Sequence, residues 1–266
     1  MKPVLIILAA GRGDRLRPLT DTHPKCLVEL DGRSLLEWQL DAAAEAGIGE
    51  IVVVGGYRAE QLRRFDVTMV ENPAYETTNM VSSLFCAQRF FGEACVVSYG
   101  DIVYHAGVLR ALLDCSDPIA VVVDRQWRSY WEQRFDDPLS DAESLQVDRS
   151  GCLRSIGQRP ASLEQIEAQY IGLLAFRGSG IAALRACYAA AQREAQNGLT
   201  PFGGTQPLER LFMTDLLQGM IDDGSAITAV PIEGEWLEID SLRDLELAKR
   251  LVASGRLTRP VMPATR

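Results

Sequence analysis

The first 25 residues constrain the fold more than any other part of this 266-residue chain. Residues 4–8 form a continuous apolar run, which predicts a strand buried on both faces of a parallel sheet. The bulky side chains then stop, and Ala9, Ala10, Gly11 and Gly13 follow, interrupted only by Arg12. Small residues let a backbone approach a ligand closely, and exposed amides in such a loop can bind phosphate oxygens. The sequence therefore predicts a ligand-binding loop directly after the first strand.

This loop is basic within an acidic protein. Residues 5–25 contain four Lys or Arg and two Asp side chains, whereas the whole chain has a formal net charge of −9. A basic loop of this kind suits a polyphosphate. Two known phosphate-binding motifs do not fit, because Leu16 replaces the third glycine of the dinucleotide motif and no Gly-Lys-Ser/Thr follows. A tight turn with solvated arginines is the alternative interpretation of the same residues.

Composition excludes several classes of protein. The hydrophobic content of 47% supplies a full core, and no apolar run approaches the length of a membrane span. The six cysteines are scattered without a Cys-x-x-Cys motif, which favours reduced thiols over a disulfide framework or a zinc site. The acidic balance argues against nucleic acid as a partner. We therefore expect a cytoplasmic protein without membrane or nucleic-acid partners.

Strand and helix patterns alternate through the first half of the chain. Helices are predicted over residues 34–46 and 80–91, the first with Ser34 as its N-cap and Gly47 as its stop. Strands are predicted over residues 4–8, 50–54, 67–70, 94–98 and 119–123. This order predicts an α/β fold with a doubly wound, mostly parallel, Rossmann-like sheet, whose ligand lies beyond the carboxyl ends of the strands.

The pattern changes after Asp124. Residues 127–141 are rich in aromatic and charged side chains without a clean period. A mixed β extension and further elements follow, with strands predicted over 144–147, 151–156, 170–176 and 227–232 and helices over 180–196, 208–220 and 242–252. No repeat or low-complexity linker divides the chain, so we expect one domain over residues 1–253 and a frayed tail over residues 254–266.

Residues 8–20 read Leu-Ala-Ala-Gly-x-Gly-x-Arg-Leu-x-Pro-Leu-Thr, and Pro-Lys follows at residues 24–25. This string resembles the signature of the nucleotidyltransferases that make activated sugars and activated phospho-alcohols, which have a GT-A-like fold. The resemblance implies that Arg15 meets the triphosphate and that Lys25 meets the phosphates at the reacting centre. It also implies a loop that holds base and ribose, formed by Leu8, Ala9, Ala10, Gly11 and Gly13.

Two aspartates follow predicted strands. Asp101 comes after Tyr99 and Gly100 at the end of an apolar run, and Asp240 precedes the helix that Ser241 opens. From the residues alone, one could cap a loop and the other a helix. The resemblance instead assigns both as ligands of a divalent metal. Two carboxylates together with phosphate oxygens and water form a usual shell for Mg²⁺.

A second set of motifs is similar to the phosphocholine and 2-aminoethylphosphonate cytidylyltransferases within that family. The similar segments are residues 72–84, 170–174 and 234–246. The first is a polar loop that leads into a helix N-terminus, a natural place for contacts to a base or a phosphate. The resemblance implies nucleotide contacts for Asn79 and Ser83.

The acceptor side is less defined. Trp127, Tyr130 and Trp131 follow Asp124, and ring faces beside a carboxylate suit a cationic head group. An amphipathic cover packed on the sheet is the alternative. The predicted substrate-binding side chains are Asp124, Trp131, Tyr170 and Asp215.

From this resemblance we predict a Mg²⁺-dependent cytidylyltransferase. It would transfer a cytidylyl group from the nucleoside triphosphate CTP to a small phosphorylated or phosphonate amino-alcohol, of the phosphocholine or 2-aminoethylphosphonate type, and release pyrophosphate. Two positions depart from the resembling group: Gln169 stands where a glutamate is common, and residues 158–159 are Gln-Arg where a lysine is common. A sugar-1-phosphate nucleotidylyltransferase and a non-catalytic nucleotide-binding regulator are the alternative functions. The sequence is compatible with a homo-oligomer. The predicted catalytic residues are Arg15, Lys25, Asp101 and Asp240.

Overall fold

The computed structural model describes residues 3–257. Its strands are β1 (Val4–Ala9), β2 (Glu29–Leu30), β3 (Arg33–Ser34), β4 (Ile51–Gly55), β5 (Thr68–Glu71), β6 (Ala94–Tyr99), β7 (Ile102–Tyr104), β8 (Ile119–Asp124), β9 (Leu145–Val147), β10 (Leu153–Ile156), β11 (Gln169–Arg177), β12 (Thr228–Ile232) and β13 (Trp236–Glu238). Its α-helices are α1 (Leu35–Ala46), α2 (Met80–Cys86), α3 (Ala106–Asp114), α4 (Trp127–Arg134), α5 (Ser179–Gln196), α6 (Met213–Asp222) and α7 (Leu242–Ala253).

A seven-stranded sheet organises these elements, in the order β12-β8-β11-β6-β1-β4-β5. Strand β11 is antiparallel to both of its neighbours, and the other neighbouring strands are parallel. The predicted α/β fold with a mostly parallel sheet is thereby confirmed. Because β1 lies between β6 and β4, the loop that follows it emerges near the centre of the sheet's carboxyl edge.

Apolar side chains cover both faces of the sheet. Along β1, Leu5 and Ile7 pack into one core cluster, whereas Val4 and Ile6 pack into the other. Successive strand residues point to opposite faces, so an uninterrupted apolar run is what such a central strand requires. The sequence-based interpretation of residues 4–8 is confirmed.

Helix α1 begins and ends as its sequence predicts. The Ser34 side chain accepts a hydrogen bond from the Glu37 amide, and the Glu37 carboxylate binds back to the Ser34 amide, which is a capping box. Gly47 ends the helix in the left-handed region at φ 79°, which costs glycine little because it has no Cβ atom.

The segment after Asp124 differs from the expectation, because residues 127–134 form helix α4. Trp127, Tyr130, Trp131 and Arg134 are all buried, and their spacing is that of one helix face. The sequence pattern did not reveal this helix because the fourth residue of its buried face is Arg134. Arginine is rarely buried unless it is paired. Helix α3 and the short strands β2, β3 and β7 were also not predicted.

Two predicted helices are shorter than expected. The helix predicted over 80–91 stops at Cys86, and a 3-10 turn covers Gln88–Phe90. The helix predicted over 208–220 divides into a 3-10 turn and α6. No helix within residues 3–257 is both long and apolar enough to cross a membrane. Residues 258–266 of the predicted tail lie outside the described residues, and the domain boundary at residue 253 stays a prediction.

Candidate active site

A cleft of about 380 Å³ opens at the carboxyl ends of β1 and β6. The residues that the sequence assigned to nucleotide binding and to catalysis come together there, although they are distributed from residue 8 to residue 240. Those that line the cleft are Leu8, Ala9, Ala10, Gly11, Gly13, Arg15, Lys25, Asn79, Ser83, Asp101 and Asp240.

Two anchors fix the loop after β1. The Leu16 side chain is fully buried, and the Thr20 hydroxyl donates a hydrogen bond of 2.8 Å to the Gly13 carbonyl. Gly13 has φ 80°, and a Cβ atom at this position would lie 2.9 Å from Cβ of Lys25. A larger residue would therefore displace Lys25 from the cleft as well as strain the backbone.

A short antiparallel ladder brings the two aspartates together. Glu238 of β13 pairs with Ile102 of β7, and the Ile239 amide donates to the Asp101 carbonyl at 2.9 Å. Asp101 thus immediately precedes β7, and Asp240 is the second residue after the end of β13. Gly100 permits this arrangement, because a Cβ atom there would lie 2.7 Å from the Leu8 carbonyl oxygen.

Lys25 lies between these aspartates. Its Nζ atom is 2.6 Å from Oδ2 of Asp101 and 2.5 Å from Oδ1 of Asp240. Arg15 forms an ion pair with the other carboxylate oxygen of Asp240. The Lys25 side chain is only 12% exposed, so its charge is screened weakly. The Oδ1 atom of Asp101 is buried and has no hydrogen-bond partner among residues 3–257.

Neither aspartate performs the alternative capping role. Ser241 is the N-cap of α7, because its side chain accepts from the Asp244 amide. The carboxylate of Asp240 instead pairs with Lys25 and Arg15, and that of Asp101 pairs with Lys25. Both carboxylates are therefore directed into the cleft.

The opposite wall belongs to the N-terminal turn of α2. Asn79 is the N-cap of this helix, since its Oδ1 atom accepts from the Met80 amide at 2.9 Å. Ser83 is buried, and its Oγ atom accepts from the Asn72 side chain at 3.0 Å. Because a hydroxyl group that accepts can still donate, Ser83 keeps a donor on this wall of the cleft.

Cys26 also lines the cleft but is chemically inert. Burial raises its pKa to about 12, with a smaller contribution from the negative charge of Asp101. A thiol rather than a thiolate is therefore present near neutral pH, and the thiolate is the nucleophilic form. All six cysteines are free, which agrees with the absence of a disulfide pattern in the sequence.

Tyr99 lines the cleft, and Tyr170 and Glu143, which do not line it, form a second region next to Tyr99. The rings of Tyr99 and Tyr170 meet edge to face at 5.9 Å, and the Tyr170 hydroxyl is buried. The Glu143 residue as a whole is exposed to solvent. Protein packed around its carboxyl group, together with the negative charges of Asp215, Asp141 and Glu238, raises its pKa to about 7.

Gln169, one of the two departures noted in the sequence, supports this second region. Its side chain is buried, accepts from the Glu143 amide at 3.2 Å and donates to the Glu143 carbonyl at 2.5 Å. Asp215 is partly buried and accepts from the Phe212 amide at 2.8 Å, which caps α6. Burial raises the pKa of Asp215 as well.

The structure corrects the predicted roles of Asp124 and Trp131. Asp124 is 1% exposed, and both of its carboxylate oxygens are used, by the amides of Gln126 and Gly234 and by the Trp236 indole. Trp131 is 4% exposed and donates to Asp141 at 3.2 Å. Neither side chain lines the cleft, so the aromatic segment is not an open box for a substrate.

The aromatic cluster does hold a cation, but the cation belongs to the chain itself. The Arg134 guanidinium lies 5.4 Å from the Tyr130 ring centre and 5.0 Å from that of Trp131. The cation–π geometry inferred from the sequence is thus satisfied internally. The spacing of the aromatic residues could not reveal that Arg134 completes the cluster.

Comparison with known proteins identifies the family. The family model described as a MobA-like NTP transferase domain matches residues 5–217. The chain belongs to this family. The resemblance to nucleotidyltransferases inferred from residues 8–25 is therefore confirmed.

Individual relatives agree with this assignment. The chain is 37% identical over 253 residues to a CTP:phosphoglutamine cytidylyltransferase of Campylobacter jejuni, covering 91% of this chain and 97% of the relative. It is 40% identical over 87 residues to a 2-aminoethylphosphonate cytidylyltransferase of Lancefieldella rimae, covering 31% of this chain and 35% of that protein. The solved CTP:phosphocholine cytidylyltransferase of Streptococcus pneumoniae has the same fold, with a TM-score of 0.69, 20% identity, and coverage of 94% of this chain and 99% of the other.

One supporting residue of this nucleotidyltransferase was missed in the sequence. Gln39 of α1 is fully buried, and its Nε2 atom donates to the carbonyls of Tyr99 and Ile102 at 2.9 and 2.8 Å. Its Oε1 atom accepts from the Ser98 hydroxyl at 2.8 Å. These bonds hold the turn that carries Asp101. A polar residue on the buried face of α1 was the available signal, since a buried amide requires partners.

Gln39→Leu should therefore reduce the free energy of unfolding by about 3 kcal/mol, because an unpaired buried polar group costs about 1–3 kcal/mol. Urea denaturation of the full chain measures this change. The control is Gln61→Leu, since the Gln61 side chain bonds the Thr22 carbonyl at the surface. Equal stability of the two variants would show that the buried bonds of Gln39 add nothing.

Proposed function

We propose that this nucleotidyltransferase transfers a cytidylyl group from CTP to a small phosphorylated or phosphonate acceptor that carries an amine, and releases pyrophosphate. The observation that carries the proposal is the position of Lys25 between Asp101 and Asp240, beside the glycine-containing loop in one cleft. The names of the two relatives support CTP as the donor. The acceptors in both names contain an amino group.

The residues of the cleft suit an in-line displacement. An anionic oxygen of the acceptor attacks the α-phosphorus of CTP, the bond between the α- and β-phosphates breaks, and pyrophosphate leaves with the bonding electrons. No general base is required, because the attacking oxygen is already an anion. The protein contributes position and charge neutralisation. Arg15 is 65% exposed at the cleft and can offset charge on the triphosphate, while the more buried Lys25 is suited to the α-phosphate.

Asp101 and Asp240 are the residues that would hold Mg²⁺. Within residues 3–257 no group of three or more His, Cys, Asp or Glu side chains could hold a metal, so other ligands would come from phosphate oxygens and water. The unpartnered Oδ1 atom of Asp101 fits such a ligand set. When bound, the ion would neutralise charge on the phosphates. The role of Lys25 is then to bind both the carboxylates and the substrate phosphate.

Glu143 supports an acceptor with an amine. Its carboxylate lies among Asp215, Asp141 and Glu238, which makes this part of the site acidic and suits an ammonium group. Glu143 lies near Tyr99, which lines the cleft together with Asp101. The buried Gln169 amide fixes its backbone. Where the resembling enzymes often carry a glutamate at position 169, Glu143 would supply the carboxylate in this chain.

A matrix of substrates tests the proposal. Pyrophosphate release is measured for CTP, UTP, ATP and GTP against phosphoglutamine, phosphocholine, 2-aminoethylphosphonate and the amine-free glucose 1-phosphate. We expect turnover with CTP and an amine-bearing acceptor, and loss of turnover when EDTA removes divalent metal. Preference for glucose 1-phosphate would replace the proposal by the sugar-nucleotide alternative. Nucleotide binding without any turnover would favour a regulator.

Lys25→Ala should reduce kcat about a hundredfold with little change in the KM for CTP, since a contact to developing charge contributes about 2–4 kcal/mol. Arg15→Ala should also raise the KM for CTP, because Arg15 meets charge already present in the bound triphosphate. Steady-state kinetics separates these effects. Arg17→Ala is the matched control, since Arg17 does not line the cleft. A Lys25→Ala variant changed only in the KM for CTP contradicts the assignment.

Glu143→Gln should raise the KM for the amine-bearing acceptor about tenfold at pH 8, with the KM for CTP unchanged. The charged form of Glu143 binds the ammonium and predominates above its pKa of about 7. In the wild type the acceptor KM should therefore fall as the pH rises through about 7. The variant should lack this component and keep only the titration of the acceptor itself.

Glu132→Gln is the control for this experiment. Glu132 lies on the exposed side of α4 and pairs with Arg128. Its removal should leave the acceptor KM and its pH profile unchanged. Identical pH profiles in wild type and Glu143→Gln would exclude Glu143 from acceptor binding.

A further inference from the structure

We propose that helix α4 is a clamp that holds Asp240 in position at the reacting centre, with Tyr130 and Arg134 as its positioning residues. The proposal rests on the proposed function, because it deepens the role of Asp240 in the same site. Neither residue lines the cleft, and neither would touch a substrate. Both act through the segment of residues 238–244, which carries Asp240.

Arg134 binds this segment on both sides of Asp240. Its Nη1 atom is 2.5 Å from Oε2 of Glu238, and its Nε atom is 2.9 Å from Oδ1 of Asp244. The residue is 3% exposed. A planar guanidinium presents five N–H donors in a fixed fork, so it holds two carboxylates in defined directions, whereas an ammonium is a point charge on a flexible stem. The two acidic residues are therefore fixed relative to one another.

The Asp244 side chain connects Arg134 to the backbone of Asp240. Its Oδ2 atom accepts from the amide and the hydroxyl of Ser241 at 2.9 and 2.8 Å, and from the Asp240 amide at 3.3 Å. One carboxylate oxygen thus orders the turn at the start of α7, while the other binds Arg134. A shift of Arg134 would therefore displace Asp240, because only the Asp244 side chain lies between them.

Tyr130 binds the first residue of this segment, Glu238. Its hydroxyl group donates to the Glu238 carbonyl at 3.2 Å and accepts from the Glu238 amide at 3.0 Å. Glu238 is the last residue of β13, two positions before Asp240. The Tyr130 ring packs against Trp236 and Trp131, so the hydroxyl cannot easily follow a displaced strand.

Stability alone does not account for this network. Burying a guanidinium with two carboxylates is costly, and well-packed apolar residues often stabilise a fold equally well. An ionic network has directional bonds that an apolar cluster lacks, and those of Arg134 and Tyr130 all end on residues 238–244. Supporting partners of a functional side chain commonly change activity about 10–100-fold when they are removed.

Tyr130→Phe tests the clamp, because it removes one hydroxyl group and keeps the ring packing. Turnover per folded protein should fall about tenfold, with the KM for CTP changed less than about twofold. Amide hydrogen exchange in residues 236–244 should accelerate about tenfold, while exchange in β1 stays as in the wild type. Tyr188→Phe is the control: this half-buried tyrosine lies on α5 and stacks its ring on Phe85, and both measurements should remain unchanged.

Arg134→Lys is the second variant and should lose turnover to a similar or greater extent. Normal turnover in Tyr130→Phe despite faster local exchange would overturn the proposal, as would loss of turnover together with faster exchange throughout the chain. The exchange measurement needs no substrate. A wild-type protein without cytidylyl transfer would therefore refute the proposed function, while local acceleration in Tyr130→Phe would still show that the clamp holds Asp240.

Discussion

The ammonium group of Lys25 between two carboxylates is the interaction on which the rest of the site depends. Asp101 and Asp240 are brought close together by the β7–β13 ladder, and like charges at short range disfavour each other. Lys25 offsets this repulsion with contacts of 2.6 and 2.5 Å. Three distant parts of the chain therefore meet at one charged centre. Much of the surrounding fold supports one of its three members.

Each member is supported by a different means. The loop that precedes Lys25 is anchored by buried Leu16 and by the bond from Thr20 to Gly13. The Gln39 side-chain amide donates hydrogen bonds to the backbone on both sides of Asp101. A buried polar group with all its hydrogen bonds satisfied fixes geometry, whereas an unsatisfied one would destabilise the fold. The backbone turns that carry the site are thus held in place by a few side chains that pack or form hydrogen bonds beneath them.

The sequence predicted local features well and long-range pairing poorly. Strand β1, the small-residue loop and the boundaries of α1 follow from neighbouring residues, and each was predicted nearly to the residue. Asp101 and Asp240 were assigned through family resemblance, because three-residue strands such as β7 and β13 have almost no pattern of their own. The prediction that the aromatic segment binds a substrate cation was wrong, because the cation in this cluster is Arg134. The burial of Arg134 shows this in the folded chain, whereas the spacing of the aromatic residues does not.

The difference between local and long-range contacts also distinguishes the two parts of the candidate site. The side of the cleft that is predicted to bind the nucleotide is formed largely by residues 8–25, which are close together in the sequence. The proposed acceptor region combines residues from β11, from α6 and from the segment before β9, which meet only in the folded chain. In the proposed function Glu143 supplies a carboxylate to this region, and the buried Gln169 amide holds the Glu143 backbone. Under the proposed function, acceptor binding thus depends on long-range contacts that are separate from the loop after β1.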